Sequence, residues 1–160
     1  MWECRSVALQ YAHNNVHHAD TSSTVAPVKP TPLILQPVEA DGFTPSGSAV
    51  SLLDNIGPSE DGVVEAPSLI RSGSTWVLFF SSGCFTSPRY TVNYATADSV
   101  TGPYTRTDRP LFRTGDRGLS APGGPSIAND GRHLVFHANQ GSGRALYTAL
   151  VSINGNQVTA

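Results

Sequence analysis

Ala66-Pro67-Ser68-Leu69-Ile70, Trp76-Val77-Leu78-Phe79-Phe80-Ser81 and Val92-Asn93-Tyr94-Ala95 return further along the chain. Their echoes are Gly124-Pro125-Ser126-Ile127-Ala128, His133-Leu134-Val135-Phe136-His137-Ala138 and Leu146-Tyr147-Thr148-Ala149. Pro67-Ser68 maps onto Pro125-Ser126 with a shift of 58 and Ala95 onto Ala149 with a shift of 54. A supersecondary unit recurring at about this spacing is the mark of propeller blades. The middle segment of each copy is apolar at consecutive positions (Val77 to Phe80, Leu134 to Phe136), as in a strand covered on both faces.

Around this repeat the chain reads as strands near 33–38, 48–53, 65–70, 75–81, 90–97, 124–128, 133–138 and 145–151. Each is short, rich in Val, Ile, Leu, Phe and Tyr, and bounded by Gly, Pro, Asp or Ser. With 15 Gly, 12 Pro and a single lysine, Lys29, the composition favours many turns over long helices. The expected fold is all-β. Residues 1–32 form a poorly patterned N-terminal segment, with an apolar piece at Val7–Tyr11 and prolines at 27, 30 and 32; residues 33–160 carry the blades. Two blades and part of a third do not close a ring, which takes about four to eight. The chain therefore reads as a piece of something larger or as one that pairs with another chain.

Several function classes drop out. The net charge is −2, the pI is near 6.2 and the ten basic residues are scattered, so nothing tracks phosphates and nucleic acid is not an expected partner. No apolar run reaches the roughly 20 residues that span a bilayer, and the stretch MWECRSVALQYAHNN has no export-signal pattern. Cys4 and Cys84 make no disulfide framework and read as free thiols. His13, His17 and His18 include an i, i+4 pair, but the segment lacks the glutamate of a zinc-protease motif and its setting is loop-like. No metal and no cofactor is expected. Trp76, Phe79 and Phe80 read as core, whereas Phe85 and Phe112 fall in loops, where an aromatic either packs or offers its face to a ligand.

Glu65 is the chemically informative residue. It opens an apolar strand at the point where the chain enters a blade, a place that faces the axis of a propeller. Between Val64 and Ala66-Pro67 the carboxyl is expected to be poorly solvated and to hold its proton near neutrality, as a general acid must. The alternative is a strand-edge glutamate in water.

The ordered set Glu65-Ala66-Pro67, Phe79-Phe80-Ser81-Ser82, Tyr90-Thr91-Val92-Asn93-Tyr94-Ala95, Thr101-Gly102-Pro103-Tyr104, Pro122-Gly123-Gly124 and Val135-Phe136-His137-Ala138 resembles glycoside hydrolase family 43, from about Leu33 to Val151. The resemblance is to the C-terminal portion of these arabinanase-, arabinofuranosidase- and β-xylosidase-like enzymes. It implies a partial five-bladed propeller of about two to three blades and inverting hydrolysis of arabinose- or xylose-containing plant polysaccharide. It also implies Glu65 as general acid, substrate contacts from His137, Arg144 and Phe85, a carbohydrate partner and an extracellular setting. The family's aspartate base and pKa-tuning aspartate lie well upstream of its Glu motif. None of Asp20, Asp41, Asp54 or Asp61 opens an apolar strand in a matching context, so an N-terminal half is expected to be missing. A non-catalytic, sugar-binding remnant and an unstable fragment are the competing expectations. Many members carry a histidine where Gly124 stands, near a central metal or water; its absence agrees with expecting no metal.

Overall fold

The computed structural model describes residues 32–160 and, before them, the backbone of strand β1 (Val7–Tyr11). β2 (Leu33–Pro37) pairs antiparallel with β1 on one side and with β3 (Val50–Leu53) on the other. A four-stranded antiparallel meander follows: β4 (Val64–Ser72), β5 (Thr75–Ser82), β6 (Thr91–Ala97) and β7 (Thr105–Arg106). β8 (Gly123–Ile127), β9 (His133–Gln140) and β10 (Gly143–Leu150) repeat its first three strands, and β11 (Ser152–Asn154) with β12 (Gln157–Thr159) forms a terminal hairpin. The described residues contain no α-helix, only the single 3-10 turns Pro58–Glu60 and Asp116–Gly118. The leading strand β4 neighbours both of the other leading strands, β1 and β8, so the sheets radiate from a common side. This is an all-β, partial propeller of two to three blades.

β5 makes the stacking possible. Successive strand residues point to opposite faces. Val77 and Phe79 enter a core shared with Leu134 and Phe136 of β9, while Leu78 and Phe80 enter a second core with Leu33, Leu35 and Leu52 of the first sheet. All four β5 side chains are at most 1% exposed, and burying each contributes about 1.5–3 kcal/mol relative to exposure. The hairpins β4–β5, β9–β10 and β11–β12 turn through Gly73-Ser74, Gly141-Ser142 and Gly155-Asn156, with the glycine in the left-handed region each time (φ 61°, 58° and 56°). A two-residue hairpin loop with glycine first needs that conformation.

The repeat extends to a shared irregularity. The β4–β5 pairing slips between Glu65 and Ser68, and the β8–β9 pairing slips between Gly123 and Ser126. In both bulges the residue before proline is left-handed, Ala66 at φ 51° and Gly124 at φ 65°. Superposing the bulges sets Glu65 (opposite Ser81) on Gly123 (opposite His137). Leu78 and Phe80 then correspond to Leu134 and Phe136, one residue off the sequence match of Trp76 with His133. The slip matters because one residue exchanges the two faces of a strand.

Four pieces lie outside the strands read from sequence. β7, β11 and β12 are two or three residues long and mostly polar, too short for a period to show. Val7–Tyr11 does carry apolar residues, but nothing local says that it pairs with a strand more than twenty residues away.

Candidate active site

Glu65 stands at the head of β4, half-buried, directly opposite Ser81 of β5. The Tyr90 hydroxyl, at the entrance to β6, donates to Glu65 Oε1; among the described residues Oε2 has no hydrogen-bond partner. Tyr90 is 1% exposed. Burial first, then the neighbouring Glu65 carboxylate, push its hydroxyl above the usual tyrosine range, so it remains a donor.

The Tyr90 ring has its place because β8 leaves one. A Cβ on Gly123 would lie 2.0 Å from Tyr90 Cε1, and a Cβ on Gly124 would lie 2.4 Å from His137 Nε2. The repeat thus carries a carboxylate in one blade, and in the next a glycine that accommodates the carboxylate's partner. His137 of β9 stacks beside the Tyr90 ring (centroids 6.1 Å apart), and the Arg144 guanidinium of β10 lies over it at 5.3 Å.

Arg144 ties the site together by using all five of its N–H groups. Nε donates to His137 Nδ1 (2.6 Å), Nη1 to Asn139 Oδ1 (2.6 Å) and the Phe85 carbonyl (3.3 Å), and Nη2 to the carbonyls of Ala121 (2.7 Å) and His137 (3.2 Å). Arginine cannot accept, so His137 Nδ1 holds a lone pair and the imidazole is neutral with its proton on Nε2. Burial and then the Arg144 charge hold His137 below the usual histidine range. Burial likewise lowers Arg144, with Tyr90 and Glu65 acting in the opposite sense. Phe85, 42% exposed, sits in the β5–β6 loop at the rim.

The structure thus gathers Glu65, His137, Arg144 and the Phe85 backbone into one cluster. It adds Tyr90 and Ser81, which the sequence showed only as strand residues. Phe112 is core, stacked on Phe136 at 4.8 Å. The aspartates upstream of Glu65 within the described residues are engaged elsewhere. Asp41 accepts from Phe43 and Thr44 in an exposed turn, and Asp54 accepts from the Asn55 N–H. Asp61 pairs with Arg89 and takes the Cys84 N–H (3.2 Å). Burial raises the Asp61 carboxyl, but the bonds from Arg89, Cys84 and Ser87 outweigh it and hold it below the usual aspartate range. Cys84 is a free, half-buried thiol. Among the described residues no three His, Cys, Asp or Glu side chains converge on a metal-sized space; Cys4, His13, His17, His18 and Asp20 lie outside those residues. A groove of about 620 Å³ between Ile70–Ser72 and Asn129–Arg132 lies at the far end of β4 and touches none of these groups.

No protein-family model matches the chain. Over 80 residues, 48% of this chain and 24% of the other, it is 31% identical to the β-D-galactofuranosidase xynD of Aspergillus niger. Among solved structures it is similar to an endo-1,4-β-xylanase from Bacteroides thetaiotaomicron (TM-score 0.70, 22% identity, 80% of this chain and 49% of that one). It is also similar to a thermostable family-43 glycoside hydrolase (0.69, 22%, 80% and 46%) and to the family 43 endo-arabinanase of Bacillus licheniformis (0.66, 22%, 80% and 48%). The chain spans about half the length of these structures and a quarter of the Aspergillus protein. In fold, the described residues therefore resemble about half of the propeller of these family 43 glycoside hydrolases.

Proposed function

We propose that this chain carries the acid side of a glycosidase site and acts in the hydrolysis of O-glycosidic bonds in arabinose- or xylose-containing oligo- or polysaccharide. The observation that carries the reading is Glu65: a half-buried carboxyl on a leading strand, one oxygen held by Tyr90 and the other without a hydrogen-bond partner among the described residues. A general acid needs that arrangement, since the free oxygen must reach the glycosidic oxygen while the group keeps a fixed orientation. His137 and Phe85 flank the sugar. Arg144, with its N–H groups committed to protein, acts by holding them and by its charge. Inversion requires a second carboxylate about 6.5–9.5 Å from the acid to activate water. In this proposal the base comes from outside the described residues, and the protein works outside the cell on plant cell-wall material.

Hydrolysis of aryl α-L-arabinofuranoside and β-D-xyloside by the wild-type chain and Glu65→Ala tests the reading. The expected outcome is a fall of about 10²–10⁴-fold in the variant, the usual worth of a positioned acid. Equal rates, or no turnover by either protein, would remove the enzyme reading for this polypeptide. The engagement of Asp41, Asp54 and Asp61 elsewhere favours a second reading, a propeller that binds sugar without turning it over. Binding of an oligosaccharide with no hydrolysis would establish that reading.

A further inference from the structure

We propose that Tyr90 is the positioning residue of this site, tying Glu65 Oε1 so that Oε2 is presented to the glycosidic oxygen; the proposal rests on Glu65 acting as the acid. The Tyr90 hydroxyl donates to Glu65 Oε1. Directly opposite Glu65 on β5, Ser81 Oγ accepts the Gly124 N–H at 2.6 Å. The bond from Tyr90 is charge-assisted when Glu65 is ionised.

The ring has little freedom to leave this position. Its backbone N–H is fixed to the Ser87 carbonyl (3.1 Å), the Gly123 backbone lies against one edge, and the Arg144 guanidinium covers a face. The chargeable groups around the pair come from several elements. β5 contributes only Ser81 and β8 only Gly123 and Gly124, whereas β9 and β10 bring neutral His137 and cationic Arg144. The side chains of β1, whose backbone neighbours β4, lie outside the described residues. Arg144 makes no hydrogen bond to Glu65. Tyr90 is the sole hydrogen-bond donor to Glu65 among the described residues.

The test is carbon NMR of the full chain at mildly acidic pH, with the Glu65 side-chain carboxyl signal assigned by its loss in Glu65→Gln. Removing a donor to the carboxylate favours the protonated form. In Tyr90→Phe the signal therefore moves toward the position of a protonated carboxyl. An unmoved signal in folded Tyr90→Phe overturns the proposal. Should that variant fail to melt cooperatively, Gly123→Ala, whose methyl displaces the Tyr90 ring, decides by the same criterion. The signal does not depend on turnover, so the two claims fail separately. Hydrolysis lost in Glu65→Ala with an unmoved carboxyl signal sinks the positioning role alone. A displaced signal in a chain whose hydrolysis is indifferent to residue 65 sinks the acid role.

Discussion

The sheets β4–β7 and β8–β10 are copies of one unit, yet the faces they turn away from the first sheet are opposites. In the first copy that face is Val77, Phe79, Val92 and Tyr94, all buried against the second copy. In the second copy it includes Val135, His137, Leu146 and Leu150, with Leu146 74% and Leu150 61% exposed. What the copies share is what forms a blade: the glycine-led hairpin, the left-handed residue before proline, and the apolar pair that packs backward (Leu78 and Phe80, Leu134 and Phe136). What differs is whatever depends on a neighbour. The same logic holds at the bulge, where Glu65 in one copy corresponds to Gly123 in the other and the missing side chain makes room for Tyr90.

This contrast can be broken or sharpened by substitution, read as thermal or denaturant stability. The largest effect is expected for Phe79→Ala or Phe80→Ala, each about 3–5 kcal/mol, because both faces of β5 are closed and a cavity results. Equal, negligible losses at both positions would mean that the sheets do not stack. Gly123→Ala comes next, at about 1–3 kcal/mol from overpacking; its methyl displaces the Tyr90 ring, and the carboxyl signal of Glu65 should move as it does in Tyr90→Phe. A stable Gly123→Ala protein with unchanged spectra would show that the ring does not lie there. The smallest effect is expected for Leu146→Ser, within about 0.5 kcal/mol, as for exposed positions generally. A loss comparable to that at Phe79 would show the face to be covered.

Much of this was legible in the sequence because it is locally encoded. The strands expected at 33–38, 75–81 and 133–138 agree to within two residues with Leu33–Pro37, Thr75–Ser82 and His133–Gln140, since each carries its own apolar run and its own turn. The one-residue slip in matching the middle strands was not legible. An apolar run buried on both sides looks alike in either register, and only the bulges settle it. At the site, Glu65 stood out through its motif. Tyr90 did not, because its ring meets Glu65 only once two blades pack and Gly123 makes space. Arg144 was recognisable as a cation at a strand start, but the count of its five acceptors, drawn from four residues in three segments, is a tertiary fact.

The claim on which the account turns is that Glu65 offers one free oxygen to a sugar while Tyr90 holds the other. A crystal of the chain soaked with an arabino- or xylo-oligosaccharide measures this directly. The expected result is a glycosidic oxygen within hydrogen-bonding reach of Glu65 Oε2, with the Tyr90 hydroxyl still on Oε1. Sugar bound only elsewhere, such as the groove beyond Ile70, or Glu65 swung away from Tyr90 into open solvent, would contradict it.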